Sequence, residues 1–316
     1  MPKKVAVIGA GNVGASCAQY LAERNIADIV MVDIVEGTPQ GKALDLTEAA
    51  PVRGYDAFIE GTNDYAAIGG SELVIMTAGL PRKPGMSRED LLKTNASIVS
   101  DVAKNIKQYA PDAYVLVVSN PLDIMTYHMQ KETGFEYHKV FGQAGVLDSI
   151  RFRTFLAMEI GVSSQDIQTL VLGGHGDTMV PLLRFTTVNG IPIQHFIKAD
   201  RLKEIADRTR VGGGEIVKLL KTGSAYYAPA AATVQMAEAV LLGRRRLIPM
   251  SAHLTGQYGI DDLYIGVPCM LGAGGVEEIV ELDLLSEELQ SLQESARVYK
   301  ESLSLLGYAD ASLKAV

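Results

Sequence analysis

The chain has 316 residues, 47% of them hydrophobic and 21% charged, with a formal net charge of −8. That length supports a large core, or two closely joined domains, and the composition excludes a disordered or collagen-like chain. The acidic balance also argues against nucleic acid as a partner, because such binding normally needs a basic face.

In chain order, the first half alternates. Apolar β-type runs fall at KVAVIG (4–9), DIVMVD (28–33), AFIEG (57–61), ELVIMTAG (72–79), YVLVVSN (114–120) and KVFG (139–142). Several are nearly continuous in Val, Ile and Leu, as strands buried on both faces are. Helical stretches lie between many of them, including Val13 to Arg24 and Ser87 to Tyr109. Such alternation predicts an α/β fold with a doubly wound parallel sheet. The lysines before Val5 to Ile8 resemble the start of a signal peptide, but glycine breaks that apolar run too early.

The pattern changes near residue 146, so we expect a first domain over 1–146 and an α+β second domain over 147–316. The second opens on a helix, Leu147 to Ile160, followed by a strand at Thr169 to Leu172. A hairpin follows at RFTTVNGIPIQ (184–194), with Asn189-Gly190 as its turn. Leu219 to Gly243 is the most apolar long segment, but Lys221, Pro229 and Glu238 make it a buried helix rather than a membrane span. The cluster Arg244-Arg245-Arg246 is expected to cap that helix's last carbonyls. The last helix repeats Leu285, Leu289, Leu292, Ala296, Tyr299 and Leu303 on one face. Cys17 and Cys269 form neither a disulfide framework nor a zinc spacing, and both are expected reduced and buried. The expected location is cytoplasmic, with no membrane partner.

Two motifs carry chemistry. GAGNVG, residues Gly9, Ala10, Gly11, Asn12, Val13 and Gly14, follows a strand and opens a helix. In that context the first glycine makes the turn, the second admits a pyrophosphate, and the third lets helix and strand pack closely. Asp33 ends the second strand, where an acid would bind the adenine ribose hydroxyls and repel a 2′-phosphate. The unit is therefore Rossmann-type and favours NAD over NADP. No G-x-x-x-x-G-K-[ST] occurs, which argues against an ATPase. The second motif, TLVLGGHGDTMVP (169–181), sets His175 between glycines at the end of an apolar run. Imidazole there suits proton transfer near neutral pH. No second His or Cys stands at ligand spacing, so a metal is not expected.

GAGNVG, VDIVEGTPQGKALDL, TAGLPRKPGMSREDLLKTN, VVSNPLD, GQAGVLDSIRFR, GGHGDTMVP and TGSAYYAPAAA together resemble the lactate/malate dehydrogenase family, in its malate-oxidising, lactate-dehydrogenase-like branch. GVPCMLGAGGVEEI (266–279) extends the likeness. The resemblance implies NAD-dependent, reversible oxidation of malate to oxaloacetate, with His175 as proton acceptor and donor and Asp148 as its orienting carboxylate. It makes Arg151 the grip on the substrate's first carboxylate and Asn120 the holder of the nicotinamide side and the substrate oxygen. It makes 79–88 a lid, with Arg88 polarising the carbonyl and Arg82 facing the distal carboxylate. Val118, Ser119, Asn120 and Asn95 would join the glycine loop and Asp33 in cofactor binding. Without the resemblance, the favoured reading of Asp148 and Arg151 is an i, i+3 surface ion pair; Arg88 would read as part of a solvated basic loop, and Asn95 as a helix-surface amide. His128, His138, His195 and His253 read as surface or core residues, and Tyr226 and Tyr227 as packing.

Lactate dehydrogenase is the alternative within the family; a neutral residue would then face the substrate in place of Arg82. An NAD-dependent glycosidase would want a metal-binding Cys/His pair. A non-catalytic dinucleotide sensor should lack the combination of His175, Asp148 and Arg151. The family's habits imply a homo-oligomer, a tetramer ahead of a dimer.

Overall fold

β1 (Lys4–Ile8), a short strand buried along most of its length, lies inside the main sheet, third from one edge. The computed structural model describes residues 3–81 and 87–308. After β1 the chain runs through α1 (Asn12–Arg24), β2 (Asp28–Val32), α2 (Thr38–Arg53), β3 (Ile59–Thr62), β4 (Leu73–Met76), α3 (Arg88–Tyr109), β5 (Tyr114–Val117), α4 (Leu122–Thr133) and β6 (Val140–Gly142). These six strands are parallel and stand in the order β3-β2-β1-β4-β5-β6. The order reverses between β1 and β4, which opens a crevice beyond their carboxyl ends. β1, β2, β4 and β5 are buried at nearly every position, because helices cover both faces.

The second half comprises α5 (Gly145–Ile160), β7 (Ile167–Gln168), β8 (Val171–Leu172), β9 (Val180–Pro181), β10 (Thr187–Val188), β11 (Ile191–Pro192), α6 (Ala199–Leu220), α7 (Tyr227–Leu241), β12 (Arg246–Thr255), β13 (Asp261–Gly272), β14 (Gly275–Ile279) and α8 (Ser286–Ser304). β12 pairs antiparallel with β6 at Ser251 and Gly142, so β12, β13 and β14 extend the first half's sheet to nine strands. This continuity matters for the site. It brings Ser251 and the loop after β8, bridged to β13 through Gly173 and Gly266, to the carboxyl edge of the parallel strands.

Several expectations need correction. Of the run Thr169 to Leu172 only Val171 and Leu172 form a strand, paired with β9 in a separate small sheet, while Thr169 and Leu170 connect it to β7. Leu219 to Gly243 is not one helix, because α6 ends at Leu220 and α7 begins at Tyr227; Leu219 itself is exposed. The arginine cluster does not cap α7: Arg245 pairs with Glu277 and Glu278 on β14, and Arg246 begins β12. The third strand starts two residues later than its apolar run, leaving Phe58 exposed. The hairpin at Asn189-Gly190 is present, with both residues at positive φ (45° and 85°) as such a turn requires. α8 buries Leu292, Ala296 and Leu303. Both cysteines are free and buried, and burial pushes the Cys17 thiol up to about 12. Among the described residues no helix is long and apolar enough to cross a membrane.

Candidate active site

The glycine loop joins β1 to α1 at the crevice. Gly9 has φ 99°, and a Cβ there would lie 2.7 Å from the Ala78 nitrogen and 2.8 Å from Thr77 Oγ1. A Cβ on Gly14 would overlap the Gly9 carbonyl oxygen, so α1 can sit directly on the end of β1. Gly11 differs: nothing lies within 4 Å of its Cβ position, and no side chain caps α1 behind it. The first N–H groups of α1, including those of Asn12 and Val13, are thus left for an anion that approaches over Gly11. Asp33 Oδ2 accepts the Ala10 N–H at 2.6 Å, and Oδ1 accepts the Val35 N–H at 2.9 Å. The carboxylate therefore shapes the loop as well as facing it, and each oxygen keeps a lone pair for a hydroxyl. Lys42, which the sequence reading passed over, donates to the Ala10 carbonyl at 2.6 Å. An uncapped helix start, an open glycine and an acid beside them fit a dinucleotide.

His175 follows Gly173 and Gly174 beyond β8. Its Nδ1 stands 2.9 Å from Asp148 Oδ2 on α5, and Asp148 is 1% exposed. With a carboxylate as partner Nδ1 carries the proton, so neutral His175 presents Nε2 as a lone pair to the cavity it lines. The loop is tied from three sides. Asp123 Oδ2 accepts the His175 N–H at 2.8 Å, Tyr299 donates to the His175 carbonyl at 3.2 Å, and Ser295 Oγ accepts the Gly174 N–H at 2.9 Å. Burial lowers the imidazole's pKa, but the charge and hydrogen bond of Asp148 outweigh it; Arg151 opposes, Asp123 adds, and the net direction is upward.

Arg151, one turn along α5 from Asp148, is not a surface residue. Its side chain is 14% exposed and 3.5 Å from Asp148 Oδ1, with no hydrogen bond between them. Nε has no partner among the described residues, and Gly212 and Gly213 of α6 leave room behind the guanidinium. A buried, under-bonded guanidinium facing a cavity is suited to a carboxylate. That cavity, about 480 Å³, is lined by His175, Arg151, Asn120, Val118, Val13 and Arg210 among others. It lies at the sheet's carboxyl edge, next to the glycine loop.

Other expected residues are distributed differently. Arg88, the first residue of α3, is exposed at the mouth, its guanidinium 3.8 Å from Asp177 Oδ2. Arg82 lies outside the described residues. Asn95 is not a helix-surface amide: it is 1% exposed and bonds the Leu80 N–H at 2.8 Å and the Asn120 carbonyl at 2.7 Å. It thereby ties the segment after β4 to the one after β5. The Ser119 hydroxyl is turned inward onto the Ala78 carbonyl at 2.6 Å. His128 and His253 are buried, bonded to Ser100 and Asp262. Sequence reasoning missed Asp123, Ser251 and Tyr299. Asp123 stands three residues after Asn120 in VVSNPLD, where an acid reads as an ordinary helix-start residue. Among the described residues no group of His, Cys, Asp and Glu could hold a metal ion.

The family models for the lactate/malate dehydrogenase NAD binding domain and alpha/beta C-terminal domain match residues 3–142 and 145–306. The chain belongs to the lactate/malate dehydrogenase family. It is 58% identical over 301 residues to a malate dehydrogenase of Thermomicrobium roseum, covering 95% of this chain and 97% of that one. Among solved structures, malate dehydrogenase from Salinibacter ruber superposes with a TM-score of 0.93 at 50% identity, covering 96% and 97% of the two chains. The lactate dehydrogenase of Cryptosporidium parvum, solved with lactic acid and nicotinamide adenine dinucleotide, superposes with a TM-score of 0.94 at 44% identity, covering 98% and 99%. The cofactor is NAD.

Proposed function

We propose that the chain is an NAD-dependent malate dehydrogenase that interconverts malate and oxaloacetate. The observation that carries the chemistry is the His175–Asp148 pair, which leaves Nε2 as the free ring nitrogen of a residue on the cavity wall, beside the buried Arg151. NAD, when bound over Gly11 and Asp33, supplies the acceptor for the hydride. The chain supplies the rest. Arg151 holds the C1 carboxylate, so the hydroxyl is presented to His175. Nε2 takes the hydroxyl proton, and Asp148 stabilises the resulting imidazolium. Asn120, on the cavity wall, holds the substrate oxygen and the nicotinamide side. Arg88 moves from the mouth toward the carbonyl as the lid excludes water, which strengthens its pull on developing charge.

Arg82 is assigned to the distal carboxylate, on the resemblance alone. Oxaloacetate would satisfy it and pyruvate would leave it buried without a partner, which is the basis for preferring malate to lactate. A homo-oligomer, a tetramer ahead of a dimer, rests on the family resemblance, and the exposed apolar residues Leu44 and Val52 of α2 fit a subunit contact. A cytoplasmic location is part of the same reading, as is the division of the chain near residue 146. The test is absorbance of reduced nicotinamide with malate, lactate or no acid, in the parent and in Arg82→Gln. Malate should be preferred by the parent, and Arg82→Gln should weaken oxaloacetate reduction by about 10- to 150-fold in kcat/KM while improving pyruvate reduction. Equal use of lactate would favour the lactate enzyme, and no turnover with either acid would favour a sensor.

A further inference from the structure

Asp123 has no part in the steps above, yet it is 1% exposed and among the most enclosed charged groups of the molecule. It sits in the first turn of α4, just beyond Asn120. Its Oδ1 accepts the Ser251 hydroxyl of β12 at 2.6 Å, and its Oδ2 accepts the His175 N–H at 2.8 Å. One side chain thus joins the loop that carries Asn120 to the loop that carries the imidazole. No lysine or arginine pairs with it among the described residues, and the hydrogen bonds from Ser251 and His175 offset only part of the penalty of burying an anion. An acid at a helix start favours the helix dipole, but that role is served equally well at the surface. It does not explain why the carboxylate is enclosed and aimed at the His175 backbone.

We propose that Asp123 is a positioning residue for the reaction: its buried carboxylate anchors the His175 backbone to the Asn120 loop and fixes a second negative charge behind the imidazole. This rests on the reading of His175 as proton acceptor and donor. The titratable and charged groups facing the pair are Asp148 and Arg151 from α5 and Tyr299 from α8. Burial raises the Asp123 carboxyl to about 6, with the bonds from Ser251 and His175 pulling it back. Above that pH its charge favours the imidazolium, in the same sense as Asp148 and against Arg151. Removing the charge while keeping the shape therefore lowers the pKa of His175. Malate oxidation, which needs neutral imidazole, rises with pH through that pKa. Oxaloacetate reduction, which needs imidazolium, falls through it. Both limbs should move to lower pH together, a change that a merely structural contact would not cause.

The experiment uses the full chain and the variants Asp123→Asn, Asp123→Ala and His175→Asn. NADH binding is followed by fluorescence, folding by thermal denaturation, and kcat and KM in both directions across pH. Asp123→Asn keeps an acceptor for the His175 N–H, so it should bind NADH as the parent does and rescue most of kcat, with both pH limbs displaced downward. Asp123→Ala loses the anchor and should lose about 10²-fold in kcat, the scale of a small misplacement of a catalytic group. The proposal is overturned if Asp123→Ala, folded and binding NADH, keeps kcat within about twofold, or if the limbs of Asp123→Asn coincide with the parent's. Should Asp123→Ala fail to fold, the limbs of Asp123→Asn decide alone. Retained turnover in His175→Asn would instead overturn the underlying reading, whatever the Asp123 variants do.

Discussion

Gly14 lies so close to the carbonyl oxygen of Gly9 that no side chain fits between them. Gly11, between the two, has open space on its Cβ side. The two glycines therefore serve different ends, one for packing and one for ligand approach. Gly14→Ala must push α1 off β1, and overpacking of that kind costs about 1–3 kcal/mol. It should lower Tm and weaken NADH binding together. Gly11→Ala should leave Tm nearly unchanged and weaken NADH binding alone. Thermal melts and NADH titrations of both variants check this. Equal Tm losses would mean that Gly11 is structural after all.

The raised pKa of His175 sets a pH rule. Burial pulls the value down, but Asp148 more than restores it, so the folded value lies above 6.5. Malate oxidation should reach half its plateau above pH 6.5, and oxaloacetate reduction should decline over the same interval. The linked stability has a definite sign. The folded state holds the proton more tightly, so this contribution is complete below 6.5 and fades as pH rises through the folded value. Asp148→Asn should move both activity limbs to lower pH and cut kcat by about 10²–10⁴-fold. Limbs that stay in place in Asp148→Asn would mean that another group titrates.

The parallel half of the fold is legible because each element repeats a local signal. A continuous Val/Ile/Leu run, a glycine turn and an amphipathic helix are all read within about 15 residues. The part that escaped is long-range. Nothing near Ser251 announces that β12 joins β6, because a single antiparallel contact with Gly142 is a tertiary choice. Asp123 escaped for the same reason: its partners are His175 and Ser251, 52 and 128 residues away. Leu219 misled because an apolar residue was read as buried, whereas it faces outward on α6 near that helix's end. Asn95 reads as a surface amide because its partners, Leu80 and Asn120, lie 15 and 25 residues away, and only the folded chain shows it tying them together.

Cofactor choice should turn on the charge of Asp33, separable from its bond to Ala10. Asp33→Asn can keep an acceptor for the Ala10 N–H while removing the charge that repels a 2′-phosphate. Its NAD preference over NADP should fall at least about tenfold, mainly through better use of NADP, a shift of about 1.4 kcal/mol. Asp33→Ala loses both and should weaken NAD as well. The measurement is kcat/KM with each cofactor. An Asp33→Asn enzyme with the parent's preference would assign discrimination to another residue.

Arg151→Lys tests whether the fork or only the charge matters. The guanidinium is enclosed between Asp148 and the glycines of α6, and its size suits two parallel bonds to a carboxylate. An ammonium there makes fewer bonds and loses its proton more readily when buried. We expect kcat/KM for malate to fall about 10- to 150-fold, with NADH affinity unchanged. Steady-state kinetics with direct NADH titration checks both. A parent-like kcat/KM would show that a point charge suffices.

Gly174 packs flat against the ring of Tyr299, which a Cβ at that position would overlap. The same tyrosine donates to the His175 carbonyl at 3.2 Å. Burial pushes its phenol far above the ordinary value, so the hydroxyl stays a donor at any working pH. α8 thus presses on the catalytic loop through one side chain, by shape at Gly174 and by hydrogen bond at His175. Tyr299→Phe keeps the shape and loses one neutral hydrogen bond, a change of about 0.5–1.5 kcal/mol, so kcat should drop modestly. Gly174→Ala must displace either the ring or the loop, and the loop carries His175; we expect a loss of about 10²-fold in kcat with NADH binding retained. The two sites should be strongly non-additive. Tyr299→Ala makes room for the new methyl group, so the double variant Gly174→Ala/Tyr299→Ala should be more active than Gly174→Ala alone, although Tyr299→Ala by itself is harmful. A double variant no better than the product of the two single losses would mean that Gly174 is needed for its backbone freedom and not for the space it leaves to Tyr299.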